Sequence, residues 1–80
     1  MTYSEAITGR ILFLCKEQKL TANRLATLSG MTQSTLDNIL RGNTKSPGLR
    51  TLHHLSQGFG ITISQLLDFP EINEVLFDDE

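Results

Sequence analysis

The chain has one cysteine, Cys15, so it can form neither an internal disulfide nor a cysteine-rich zinc site. A reducing, cytoplasmic setting is the expectation. Long hydrophobic runs are also missing. The longest covers residues 11–15, too short for a membrane span or a signal-peptide core. No internal repeat, low-complexity segment or glycine-rich phosphate loop is present. Before residue 70 there is no useful stretch of strand-like alternation. Enzyme chemistry has few candidates, namely Cys15, His53 and His54. Cys15 falls on an apolar helical face, and adjacent histidines on a helix point about 100° apart, so they cannot chelate one metal as an i,i+4 pair would. Eighty residues allow one compact domain and little room for a deep substrate pocket. No cofactor, metal or small-molecule substrate is expected.

What is present is unevenly placed. Apolar residues make up 39% and charged residues 20%, in the range of a soluble globular domain. Seven Lys+Arg against nine Asp+Glu give a formal charge of −2. Taken whole, that acidic balance speaks against a polyanionic partner. Residues 1–56, however, hold all seven bases (Arg10, Lys16, Lys19, Arg24, Arg41, Lys45, Arg50) against three acids (Glu5, Glu17, Asp37), a balance of +4. Residues 57–80 hold six acids and no base, a balance of −6. This asymmetry suggests a basic working surface, residues 1–69, and an acidic appendage, residues 70–80. A solvated tail that keeps a small domain soluble accounts for the appendage equally well.

Helix punctuation recurs along the chain. Thr2 followed by Glu5 is a capping box, which places a first helix from about 3 to 19. Its apolar face is Ile7, Ile11 and Leu14, with Cys15 beside them, and Lys19 suits its C-terminus. Thr21 caps a second helix, 22–28, with Gly30 after it. Thr32 caps a third, 33–41, ended by Gly42. Pro47 occupies a favourable first helical position and opens a fourth, running to about 57 on Leu49, Leu52 and Leu55. Gly58 and Gly60 break the chain. Thr62 with Gln65 forms a second capping box for a fifth helix, ended before Pro70. Five short helices joined by short loops make an all-α bundle. Beyond Pro70, Ile72, Val75 and Leu76 fit a further helical face, while 74–77 fits an extended strand as well.

The most informative stretch is 22–40. Two short helices are joined by a tight turn at Gly30, with Leu25, Ala26, Met31, Leu36 and Ile39 spaced to let them cross. Ala26 is small where the second helix approaches the third. This is helix-turn-helix geometry, which presents the second helix of the pair to a DNA major groove. The ordered set Leu25-Ala26, Gly30, Gln33-Ser34-Thr35, Gly42, Pro47 and Phe59-Gly60-Ile61-Thr62 resembles lambda-repressor/Cro-like (XRE-type) domains. The likeness spans residues 20–67 together with the first helix.

The resemblance implies a five-helix lambda-repressor-like bundle with a short C-terminal extension. Its implied function is that of a sequence-specific DNA-binding transcriptional regulator of prokaryotic or phage type, acting as a repressor. It implies base contacts by Gln33, Ser34 and Asn38, with Asp37 accepting from cytosine or rejecting phosphate. Thr32, Asn43, Thr44, Lys45 and Arg41 are the implied phosphate contacts, with Arg10 and Arg24 weaker ones. Gln33, Ser34 and Lys45 also fit plain solvated positions, and Thr32 a helix cap alone.

Three departures from the family stand out. Ala22 replaces a frequent glutamine that touches phosphate. Cys15 and Leu40 occupy the places of a frequent internal Arg–Glu pair, so both are expected in the core, near each other. Ser46 and Gly48 stand where Arg or Lys is common. A homodimer on a pseudo-palindromic duplex is implied, with Phe13, Leu66, Phe69, Ile72 and Leu76 as contact residues. The alternative is a protein-interaction module, such as an antitoxin or anti-repressor. For that reading the notable feature is Phe13 beside Leu12, turned away from the core face of the first helix.

Overall fold

The computed structural model describes residues 1–44 and 46–75. Its elements are α1 (Tyr3–Gln18), α2 (Ala22–Ser29), α3 (Gln33–Leu40), α4 (Leu49–Phe59) and α5 (Ile63–Leu67), followed by a 3-10 turn, Pro70–Glu74. No strand occurs among the described residues. The expected all-α, five-helix architecture is therefore present.

Four helices begin at a threonine. The side-chain oxygens of Thr2, Thr21, Thr32 and Thr62 accept from the amides of Glu5, Arg24, Thr35 and Gln65. Each bond satisfies one of the donors a helix start leaves open. Both expected capping boxes form, with the Glu5 and Gln65 side chains accepting from the Thr2 and Thr62 amides at 2.8 and 3.0 Å. The Thr2 hydrogen bonds hold the Glu5 carboxyl below its usual range. α4 differs. It begins at Leu49 with Gly48 as an N-cap that makes no side-chain bond. Pro47 lies outside the helix and is buried, so it does not take the expected first helical position. α3 ends at Leu40 with Arg41 as its cap.

Four of the five helices close by one device. The amides of Leu20, Met31, Asn43 and Ile61 reach back five residues to the carbonyls of Cys15, Ala26, Asn38 and Ser56, at 2.9–3.0 Å. The residue before each is left-handed: Lys19, Gly30, Gly42 and Gly60, with φ of 57°, 69°, 76° and 71°. This is the Schellman closure, and glycine adopts it without a Cβ clash. Lys19 makes the same turn with a side chain, so its contribution is the αL cap itself.

The core consists of Ile7, Ile11, Leu25, Ala26, Leu36, Ile39, Leu55, Phe59 and Leu66. Leu14, Cys15, Met31 and Leu40 pack against it half-buried, so Cys15 and Leu40 line the core margin rather than its interior. The stripe on α4 is shifted. Leu52 and Leu55 lie inward, but Leu49 is 69% exposed, because it opens the helix where no element of the described residues covers it. The inward face continues instead through Ser56 and Phe59, and α4 runs to Phe59, past the expected end near 57.

Gly58 is therefore inside α4 rather than a breaker, and its role is steric. α2 packs more extensively on α4 than on any other element. A Cβ on Gly58 would overlap Ser29 Oγ and stand 3.1 Å from the Ser29 Cβ and amide nitrogen. Gly58 thus sets a close approach between α2 and α4. The buried Ser29 hydroxyl has no hydrogen-bond partner there. At the other end, the 3-10 turn packs on α1. Ile72 joins the core margin and Val75 is buried. Neither a sixth α-helix nor a strand forms in this described part, and Leu76 lies outside the described residues.

Gly58→Ala should cost about 1–3 kcal/mol in urea denaturation, as overpacking of a tight contact does. Ser29→Ala alone should be near neutral, since it removes an unsatisfied hydroxyl. The double variant should recover part of the loss, and strict additivity would mean the two sites do not meet.

Candidate nucleic-acid interface

α3 has two opposite faces with different fates. Leu36 and Ile39 are buried at 0% and 5% exposure. Gln33, Ser34, Thr35, Asn38 and Arg41 are exposed, and Asp37 is half-buried. The period of 3.6 residues places Gln33, Asp37 and Arg41 in one row and Ser34 and Asn38 in the next. The apolar face thus holds the helix while the polar face is offered outward. Gly30 and the Thr32 cap set its entry. A hydrogen bond of 3.2 Å from Thr8 Oγ1 of α1 to the Ile39 carbonyl ties down its exit.

Local hydrogen bonds order the outer face. Gln33 Nε2 donates to Asp37 Oδ1 at 3.1 Å. Asn43 Nδ2, just past the helix, donates to Asn38 Oδ1 at 3.2 Å. The Thr32 and Thr35 hydroxyls lie 2.9 Å apart, and Thr32 Oγ1 also accepts from the Thr35 amide. Thr32 is exposed and Thr44 half-buried. Thr32, Gln33, Ser34, Asp37, Asn38, Arg41 and Asn43 therefore share one short helix and its two ends, and Thr44 follows directly. Arg24 is exposed on α2. Lys45 lies outside the described residues. Amides, hydroxyls and one guanidinium make a surface suited to base edges and phosphate oxygens.

Arg10 belongs elsewhere. Its Nε donates to the Leu66 carbonyl at 3.0 Å and its Nη2 to the Gln65 carbonyl at 2.8 Å. The guanidinium carbon lies 5.8 Å from the Phe13 ring centroid and 5.2 Å from that of Phe69. Expected at a phosphate, Arg10 instead satisfies carbonyls at the C-terminal end of α5, where a cation is favoured, and stacks on two rings. Leu66 also departs from expectation. At 1% exposure it is core, with no surface left for a partner. Ile72 and Phe69 are half-buried against that core, whereas Phe13 remains 52% exposed. Met1, Phe13, Phe69 and Pro70 border a groove of about 510 Å³ between α1 and the 3-10 turn. Leu76, the remaining contact residue of the sequence reading, is outside the described residues.

Two residues escaped the sequence reading. Thr35 is exposed on α3 and carried a signal, its place in the first turn. Thr8 acts on α3 from 31 positions away, and nothing in its neighbourhood announces that. Burial raises the pKa of the half-buried Cys15 thiol, so little of it is thiolate near neutral pH. His53 is exposed, and half-buried His54 lies beside Gly30. Among the described residues no three His, Cys, Asp or Glu side chains gather in a way that could hold a metal ion. No helix among them is long and apolar enough to cross a membrane.

A family model for the Cro/C1-type HTH DNA-binding domain matches residues 10–71. The crystal structure of the prophage Lp1 protein 11 is similar to this fold, with a TM-score of 0.81 and 36% sequence identity, over 94% of this chain and 99% of that one. Comparison with curated proteins gives no match.

Arg10→Ala should lower the unfolding free energy by about 1–2 kcal/mol, the range for charge-assisted hydrogen bonds discounted for partial exposure. Arg10→Lys should recover little, because an ammonium cannot span two carbonyls and two rings as a planar fork does. A variant as stable as the wild type would show that these contacts carry no weight.

Proposed function

The chain belongs to the Cro/C1-type helix-turn-helix DNA-binding family, and from that premise we propose that it is a sequence-specific transcriptional repressor of phage or prokaryotic type. It binds double-stranded DNA as a homodimer, and its half-sites lie about one helical turn apart. The observation that carries this reading is the division of α3: Leu36 and Ile39 in the core, Gln33, Ser34 and Asn38 presented outward.

Gln33, Ser34 and Asn38 read base edges in the major groove, with Asp37 in the same row. Thr32, Arg41, Asn43, Thr44 and Lys45 meet phosphates at the two ends of the helix. The duplex sees the +4 portion of the chain rather than its −2 total, so binding is modest in strength and steeply salt-dependent. Binding calls on no cofactor. The dimer contact lies around Phe13, Phe69 and Ile72. Leu12 and Phe13, 55% and 52% exposed on α1, support a partner surface there and equally favour a second reading, in which the same fold captures another protein.

Selection from random duplex DNA at moderate salt tests the main reading. The wild type should enrich one motif. Gln33→Ala and Asn38→Ala should each relax one position and cost about 1–3 kcal/mol there. Arg41→Ala should weaken all sequences alike and reduce the salt slope by about one. If the wild type enriches nothing, the protein-capture reading takes over. If both α3 variants enrich the wild-type motif equally well, the base-reading assignment is wrong.

A further inference from the structure

The outer face of α1 carries a row that nothing inside the chain accounts for. Glu5, Gly9, Leu12 and Lys16 are all exposed, at spacings of four, three and four residues, which put them on one stripe of the helix. The stripe lies opposite Ile7 and Ile11, the face buried in the core. Leu12 is 55% exposed, and Phe13, one row over, 52%. Gly9 is the second anomaly. Glycine is costly in a helix interior. Gly9 is not left-handed, and a Cβ there would meet nothing within 4 Å among the described residues. Neither backbone conformation nor packing within the chain calls for it. A bare spot of backbone flanked by exposed apolar side chains suits the close approach of another helix.

The row fits a second copy of itself. With two α1 helices antiparallel and the twofold midway between Gly9 and Leu12, Leu12 of each copy stands over Gly9 of the other, a knob over a gap. Glu5 of each then stands opposite Lys16 of the other. Glu5 Oε1 accepts from the Thr2 amide, and its second oxygen can accept from an ammonium. A parallel pairing would instead set Glu5 against Glu5 and Lys16 against Lys16. The twofold keeps both Phe13 rings on one side of the seam, each toward the other copy's groove beside Met1 and Phe69. We propose that α1 is the homodimer seam, two copies crossing antiparallel through Glu5, Gly9, Leu12 and Lys16. This deepens the proposed function, rests on the homodimer stated there, and extends its contact from Phe13 along α1.

Analytical ultracentrifugation of the full chain over a concentration series tests this, with the thermal unfolding of each variant followed under dilute, monomeric conditions. The wild type should associate reversibly. Gly9→Ala should raise the unfolding temperature, since alanine is the better helix former and meets no clash inside the chain, and yet weaken the dimer about tenfold. Lys16→Glu should weaken it about threefold at low salt, by placing like charges at both ends of the seam. Adding Glu5→Gln, which retains the capping box, should restore most of that loss. A merely structural row would move the unfolding temperature and leave association unchanged. A Gly9→Ala chain that dimerises like the wild type, or a Lys16→Glu loss that is absent or not relieved by Glu5→Gln, overturns the proposal and leaves the homodimer to another surface. A wild type that stays monomeric at every concentration removes the homodimer reading and this seam with it.

Discussion

Every element of this fold depends on closing the ends of helices too short to stand alone. α2 and α3 have eight residues each and α5 has five, well below the length at which an isolated helix persists in water. In helices this short, half or more of the backbone groups belong to an unsatisfied first or last turn. Threonine caps and left-handed closures satisfy many of them locally. α1 satisfies four more from a distance. Thr8 donates to Ile39 of α3, Gln18 Nε2 to Phe59 of α4 at 2.9 Å, and Arg10 to Gln65 and Leu66 of α5. One sixteen-residue helix thus reaches the C-terminal carbonyls of three others, and side-chain burial in the shared core fixes their angles.

The candidate interface follows from that arrangement. α3 can offer polar side chains to DNA only because its other face and its last turn are held. A presented helix whose outward polar groups are already ordered loses less conformational freedom on binding. The bonds from Gln33 to Asp37 and from Asn43 to Asn38 do that ordering. The net charge of −2 does not conflict with a DNA partner. The α3 surface and its flanks lie within the stretch that carries every lysine and arginine, while the acids concentrate after residue 57.

The parts of the molecule legible in the sequence are those with local causes. A threonine cap answers to amides three residues on, a capping box to its own glutamate or glutamine, and a Schellman turn to a single left-handed residue. Helix starts at Thr2, Thr21, Thr32 and Thr62 could therefore be read directly, as could the turn at Gly30. The parts that were not legible have causes far along the chain. Pro47 fits a first helical position by its own geometry, but α4 starts two residues later and Pro47 is buried. Gly58 looks like a breaker until Ser29 is placed against it. Leu49 has the spacing of a core residue yet stands exposed at the start of α4.

The two arginines Arg10 and Arg41 state the division most plainly. Side-chain type alone makes each a phosphate ligand. Arg41 follows α3 directly and is exposed, while Arg10 is drawn 55 and 56 positions along the chain to the end of α5. The sequence by itself determined the four threonine-capped helix starts, the helix-turn-helix and the polar row on α3, because periodicity and capping act within a few residues. Tertiary structure alone decided which of the polar and apolar side chains stay available to a partner. Burial and carbonyl capping depend on segments that meet only when the chain has folded.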